Sequence, residues 1–446
     1  METALSDDRL FPLLDEDGRR LLRRLREHPH APRYNYRTGE RLNQASLASV
    51  RAYAQQLSTE RRGWQFGQLP PWLPPFLARC RREVPFYRGL PEWPEDFFAL
   101  PRLTRQQIRR QPWAFVVDSA DVSDLVVYST SGTTGTSLRL PAWPEVPSRY
   151  LPLIQLALAA NDVKLEGGNR VSIVQACAQR ETYSLVSVSS YLDGAAFVKV
   201  NLLPAIWRDP QDRVLFLDDC DPEIYTGDPF AFSKLMELPL RTRPKALVCA
   251  AATLLPGLRR KLEEHFACPV IDLYSMNESG PIASSIENGH EILPHNLYVE
   301  ILSEDGRPCP PGARGEIVVT GGINPLLPLV RYRTGDCASM DYGFPHPRLI
   351  GFQGRSPVVF RSGSGELFNS VDVSIALKDL PLAFFRLHQH ADGSLRVQAD
   401  CDAQVGEAIK RILGTLFGPA VPITVEPVGN DMPQGKPIRY TSEISF

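Results

Sequence analysis

Hydroxyl side chains and two glycines fill eight consecutive positions, Ser129-Thr130-Ser131-Gly132-Thr133-Thr134-Gly135-Thr136. No other stretch constrains the chain as much. It follows an apolar run, Leu125 to Val127, that reads as the end of a buried strand. Glycines let backbone N–H groups turn towards one point and approach an anion closely, while Ser and Thr hydroxyls add donors without net charge. Such a loop suits phosphate. A plain Ser/Thr/Gly surface turn has the same composition, and no Gly-Lys-Ser/Thr follows to make a Walker loop. The remainder of the chain has to decide between these readings.

At 446 residues the chain is too long for one compact core and predicts two or three lobes. A net charge of -2 gives no broad electrostatic case for nucleic acid or an anionic membrane. Only eight lysines are present, so a lysine in a special loop is notable. Met1 to Leu14 is acidic without a basic-then-apolar signal pattern, and no apolar run approaches the length of a membrane span. The eight cysteines (Cys80, Cys177, Cys220, Cys249, Cys268, Cys309, Cys337, Cys401) are scattered without metal-ligand spacing, which predicts reduced thiols in a cytoplasmic protein and no structural zinc.

Residues 1 to about 60 read as helical, with leucines at helix spacing among the arginines of Arg19 to Arg26. Leu69 to Pro75 starts a further helix through Glu83, which Val84 to Arg88 ends. Thr104 reads as an N-cap, with Gln107 at the capping-box position. Pro147 to Ala160 predicts a buried helix, Arg170 to Ala176 and Ala195 to Leu202 short elements of an α/β alternation. Lys245 to Ala250 and Pro269 to Tyr274 read as strands around a helix Pro256 to Phe266. The second strand delivers Ser275-Met276-Asn277-Glu278-Ser279-Gly280-Pro281 at its end, where open α/β sheets place ligand loops, and a carboxylate there suits Mg²⁺. In Leu329 to Asp336, the aspartate after Thr334-Gly335 can accept two ribose hydroxyls. A composition shift at Gly351 to Arg355 marks a boundary. The remainder, with alternating runs Ser394 to Ala399 and Pro422 to Pro427 around a helix Val405 to Phe417, predicts a small α+β lobe. In its last loop Lys436 stands between Gly435 and Pro437, presented as a point charge.

Taken together, these loops resemble the adenylate-forming (AMP-forming) superfamily, specifically its phenylacetate-CoA ligase branch. Thr130-Ser131-Gly132-Thr133-Thr134-Gly135 is similar to the family's phosphate loop, Tyr274-Ser275-Met276-Asn277-Glu278 to its Tyr-Gly-x-Thr/Ser-Glu motif, and Tyr332-Arg333-Thr334-Gly335-Asp336 to its Tyr-Arg-Thr-Gly-Asp motif. Gly354-Arg355 looks like the start of the hinge motif and Gly435-Lys436 like the C-terminal lysine loop. The resemblance implies an α/β fold with a large multi-lobed adenylation domain, residues 1–352, and a small mobile α+β domain, residues 353–446. It implies ATP and Mg²⁺ as cofactors, with coenzyme A as one acceptor. A carboxylic acid is joined to AMP with loss of pyrophosphate, and a nucleophile then displaces AMP. By the same match the hydroxyl loop cradles the phosphates, Tyr274 and Asn277 line the nucleotide site, Glu278 holds Mg²⁺, and Asp336 binds the ribose. Arg355 contacts the nucleotide, and Lys436 bridges carboxylate and α-phosphate.

Three departures bear on the expectation. Gly135 is followed by Thr136-Ser137-Leu138 rather than a Pro-Lys or Pro-Thr pair, the family's Gly-Ala-Glu-Pro reads Ala250-Ala251-Ala252-Thr253, and the hinge continues as Ser356-Pro357-Val358. Proline and valine are stiff there. The acceptor is therefore open among coenzyme A, a carrier-protein thiol and an amine. A nucleotide-binding homologue without turnover is the alternative that ATP binding with no pyrophosphate release would reveal. No membrane or nucleic-acid partner is expected, and a homodimer is compatible with the sequence.

Overall fold

The computed structural model describes residues 5–59, 63–129, 138–178, 182–353, 358–428 and 439–444. Its centre is a mixed sheet of twelve strands. Four of them, Val171–Cys177, Ile224–Gly227, Ala246–Ala250 and Val270–Met276, run parallel to their neighbours, with Ala195–Asn201 parallel on the outer side of Val171–Cys177. These strands read as nearly unbroken apolar runs because both faces are covered.

One face packs against helices Glu16–Arg26, Asp212–Cys220, Pro229–Met236 and Pro256–Phe266 around Phe216, Phe232 and Leu258. The other meets Gln44–Thr59 and Tyr150–Ala159 around Leu153, Ile173 and Val248. In Glu16–Arg26 the Asp15 carboxylate accepts the Gly18 N–H and acids occupy the first turn, basic residues the last. Leu21, Leu22 and Leu25 face inward, as their spacing predicts, and the arginines snorkel outward. Between this helix and Gln44–Thr59 the chain is extended, so the first sixty residues are helical only in part.

Beyond Val270–Met276 the sheet continues antiparallel through Gly280–Ile286, Gly289–Ile292, Arg348–Gln353, Leu329–Asp341, Gly315–Gly321 and Leu297–Leu302. Two sequence expectations change here. The segment after Tyr274 is a tight return between two paired strands rather than an open loop, because Ser275 and Met276 pair with Pro281 and Gly280. Gly335-Asp336 sits inside a thirteen-residue strand rather than after a turn. Gly335 has φ +77, and the pairing slips between Glu316 and Val318, a bulge that re-aims the side chains.

Val126–Ser129 pairs only with Arg139–Ala142, as a two-stranded ribbon outside the large sheet. Val127 is 52% exposed. The expected buried strand is thus the edge of a hairpin: local apolar character was mistaken for burial.

A separate four-stranded sheet, ordered Ile423–Pro427, Leu395–Ala399, Phe385–Gln389 and Tyr440–Ser442, carries helices Ser370–Leu377 and Ala403–Phe417 over a core of Phe360, Leu387, Val397, Leu413 and Phe417. Val358 exchanges backbone and hydroxyl hydrogen bonds with Ser370 at 2.8 and 3.1 Å. The two parts touch where the Gly257 N–H donates to the Lys378 carbonyl at 2.8 Å and Arg260 pairs with Asp379 at 3.0 Å.

Candidate active site

A cavity of about 1820 Å³ opens at the carboxyl ends of the parallel strands, the position where open α/β sheets bind ligands. Its apolar wall includes Leu151, Ile154, Ile173, Phe197 and Val248. Its other side is polar and carries Tyr274, Asn277, Glu278, Thr334 and Asp336. Phe384, Phe385, Arg439 and Tyr440 from the small sheet complete the lining. The stretch Ala250 to Thr253 borders it too, with Ala251 at φ +71 turning the chain off its strand.

The strand reversal brings Tyr274 and Asp336 together: the phenol donates to Asp336 Oδ2 at 2.9 Å, and the Thr334 hydroxyl accepts the Asp336 N–H at 3.0 Å. Burial, reinforced by the Asp336 charge, pushes the Tyr274 phenol far above its usual range, so it remains a donor. The Tyr274 ring leans on Phe352 with centroids 4.2 Å apart, and Phe352 also meets His290, whose Nε2 lies 3.1 Å from Asp272 Oδ2.

Glu278 is only 4% exposed. Its Oε1 accepts from Arg105 Nη1 at 2.5 Å and from the Tyr332 hydroxyl at 3.0 Å. Burial and the neighbouring carboxylate hold the Tyr332 phenol protonated. Arg105 opens the helix Arg105–Arg110, which has the capping box expected of Thr104 and Gln107. That helix is placed from a distance. Arg331, 2% exposed and at φ +48, forms a bidentate pair with Glu300 at 3.0 and 3.2 Å and donates to the Leu100 carbonyl at 2.7 Å. Leu103 then exchanges backbone hydrogen bonds with Arg331 and Arg333. The strand carrying Tyr332 and Asp336 therefore also fixes the loop that aims Arg105 at Glu278. Sequence reasoning missed Arg105, Tyr332 and Phe352 as site residues; the capping box marked the helix but not what its first residue reaches.

A family model for the AMP-binding enzyme domain matches residues 190–324. Phenylacetate-coenzyme A ligases are similar over most of the chain: that of Escherichia coli K12 is 22% identical over 67% of this chain and 70% of its own length, and that of Thermus thermophilus 24% identical over 63% and 68%. The chain thus carries a match to the AMP-binding enzyme domain and is similar to phenylacetate-coenzyme A ligases. A solved 2-hydroxyisobutyryl-CoA ligase in its postadenylation state shares the fold with a TM-score of 0.60, at 18% identity over 82% of this chain and 89% of that one.

Of the residues expected in this phenylacetate-CoA ligase-like site, Tyr274, Asn277, Glu278 and Asp336 line one cavity. Thr130, Ser131, Gly132, Thr133, Thr134, Gly135, Arg355 and Lys436 lie outside the described residues. Two part-buried carboxyls that the sequence did not flag also border the cavity. Glu40 accepts the Ser190 N–H at 2.8 Å and the Ser190 hydroxyl, yet burial raises its carboxyl to about 7. Asp228 caps helix Pro229–Met236 through the Ala231 N–H at 2.7 Å and is likewise raised by burial.

No described helix is long and apolar enough to cross a membrane.

Proposed function

We propose that the protein is an ATP-dependent, AMP-forming ligase that activates an aromatic or otherwise hydrophobic carboxylic acid and passes the acyl group to coenzyme A. The observation carrying this reading is one cavity with an apolar wall on one side and Tyr274, Asn277, Glu278 and Asp336 on the other. The similarity to phenylacetate-coenzyme A ligases supports a hydrophobic acid and the thiol of coenzyme A as substrates.

In the first step a carboxylate oxygen forms a bond to the α-phosphorus of ATP, the bond to the bridging oxygen breaks, and pyrophosphate leaves. In the second, the thiol loses its proton, its sulfur bonds to the acyl carbon, and AMP departs with the electron pair. Carboxylate and triphosphate repel each other, so the site has to hold them in line and place donors where charge develops. Asp336, held by Tyr274 and Thr334, accepts from the ribose hydroxyls. The hydroxyl-rich loop Thr130 to Thr134 donates to phosphate oxygens, with Arg355 at the nucleotide, and Lys436 bridges carboxylate and α-phosphate. The apolar wall takes the body of the acid.

The donor set fits Mg²⁺. Glu278 is a buried carboxyl at the cavity's polar edge, and Oε1 carries the contacts to Arg105 and Tyr332, while Oε2 has no hydrogen bond among the described residues. One carboxylate oxygen together with substrate phosphates is how Mg²⁺ is usually held. Bound there, the ion would neutralise phosphate charge. Residues 353–446 form the lobe that brings Lys436 to the site, and its rotation between the two steps would make room for the thiol.

Incubation with ATP, Mg²⁺, coenzyme A and a panel of aryl and aliphatic acids, with products separated by mass, tests the reading. An acyl-CoA thioester with stoichiometric AMP supports it. AMP and pyrophosphate formation without thioester moves the acceptor to a carrier-protein thiol or an amine. ADP as the nucleotide product contradicts it.

A further inference from the structure

Away from the cavity, on the small sheet, three potential ligand side chains converge. His388 and His390 stand two residues apart along the Phe385–Gln389 strand and its continuation, so their side chains leave the same face. Glu443 follows Tyr440–Ser442, the strand paired in parallel with Phe385–Gln389 so that His388 lies beside Thr441. Glu443 Oε1 is 3.1 Å from His388 Nε2, and Oε2 is 3.9 Å from His390 Nδ1. One ligand atom from each residue lies within 4.8 Å of the other two.

We propose that His388, His390 and Glu443 form a binding site for a divalent transition-metal ion of the zinc type. Two imidazoles and one carboxylate are a donor set for such ions, with water completing the tetrahedron. In a tetrahedral zinc site with bonds near 2.0–2.2 Å, ligand atoms stand roughly 3.3–3.6 Å apart, and the present separations need only small rotamer adjustments to reach that. The supporting contacts are those that metal ligands need. The Thr441 hydroxyl lies 2.8 Å from His388 Nδ1, so a ring protonated at Nδ1 can donate to it and offer the Nε2 lone pair to an ion. Glu443 Oε2 accepts the Ala391 N–H at 3.0 Å, and Glu443 N–H donates to the Gln389 carbonyl at 2.9 Å, so the acid is held at both ends.

Without an ion, a neutral His388 ring protonated at Nε2 donates to Glu443 Oε1 across 3.1 Å, and a bound ion would take the place of that hydrogen bond. The two imidazole rings meet edge to face with centroids 4.5 Å apart. The scattered cysteines offer no rival cluster among the described residues, since this group is the one set of three that meets the distance condition.

The ion would clip the short strand Tyr440–Ser442 to its neighbour. That strand follows the segment containing Lys436, so the clip ties the chain end of the lysine loop to the sheet. None of the three residues lines the cavity, and the site does not depend on the proposed reaction.

The full-length chain, freed of metal with chelator, is titrated calorimetrically with Zn²⁺, and Co²⁺ is followed by its visible absorption. The proposal expects one equivalent bound, a four-coordinate cobalt spectrum, and loss of both in H388A/H390A and in E443Q. Thr441→Val should weaken binding roughly 10-fold, as loss of an orienting partner does. Circular dichroism checks that the variants fold, which the partial exposure of all three side chains favours. Absence of saturable binding, or undiminished binding by the folded double variant, overturns it. So does a purely octahedral, water-like cobalt spectrum.

Discussion

At the scale of single residues the site works through buried pairs whose partners come from distant segments. Asp336 is the simplest to test. If it holds the ribose hydroxyls in ground and transition states alike, Asp336→Asn removes charge-assisted bonds worth about 1.5–3 kcal/mol. The KM for ATP should then rise roughly 10- to 100-fold with kcat little changed. A loss confined to kcat would place Asp336 elsewhere in the chemistry. Glu40 makes a pH prediction. Its carboxyl is raised in the folded chain to about 7, so the native state holds a proton that the unfolded chain has already released. Stability must therefore fall as pH rises from about 4.5 to about 7, and the penalty persists above that. Glu40→Gln removes the titration. Its melting temperature should fall less than the wild type's between about pH 5 and about pH 8, measured by calorimetry at both. Identical slopes would contradict the assignment. Tyr274, Glu278 and Asp336 were legible in the sequence because each sits in a short recognisable run. Arg105 and Glu40 were not, since what singles them out is long-range contact, with Glu278 and with Ser190, of which a single arginine or acid gives no local sign.

Among elements, local rules succeeded where the element is local. The capping box at Thr104, the helix Pro256–Phe266 and the strand after Pro269 lie where side-chain periodicity puts them. They failed where pairing decides, as with the ribbon Val126–Ser129, whose exposure follows from the strands it does not join, and the strand Leu329–Asp341, whose bulge arises from a slipped register with Gly315–Gly321. The capping helix carries a functional consequence. Thr104→Ala should reduce stability by about 1 kcal/mol. Because Arg105 starts that helix, it should also lower activity more than an equally destabilising change elsewhere, such as Asp402→Ala at the cap of Ala403–Phe417. Equal activity losses would make the helix a scaffold only. Gly257 tests the contact between the two parts. A Cβ there would stand 2.5 Å from the Asp379 carbonyl oxygen and 2.6 Å from that of Leu380, and backbone cannot step aside as a side chain can. Gly257→Ala should open this contact, read as a larger radius of gyration in solution scattering. An unchanged profile would show that the contact yields locally.

The whole molecule places a small sheet with its own apolar core against the carboxyl ends of a large one, and the candidate site's cavity lies between apolar wall, strand reversal and small sheet. That arrangement explains how ordinary loops acquire joint meaning. Tyr274 and Asp336 are sixty-two positions apart, yet hydrogen-bonded. The order of sequence motifs anticipated this architecture, whereas the twelve-strand continuity did not follow from it, because the antiparallel strands join the rest of the sheet through one long-range pairing, Gly289–Ile292 with Arg348–Gln353. The central claim is adenylation at this cavity. Its most direct measurement is acid-dependent ATP–pyrophosphate exchange, with wild type beside Asp336→Asn and Lys436→Ala. The account predicts exchange with at least one hydrophobic acid, weakened in the first variant through ATP affinity and nearly abolished in the second. ATP binding without exchange for any acid, or exchange undiminished in Lys436→Ala, would contradict it.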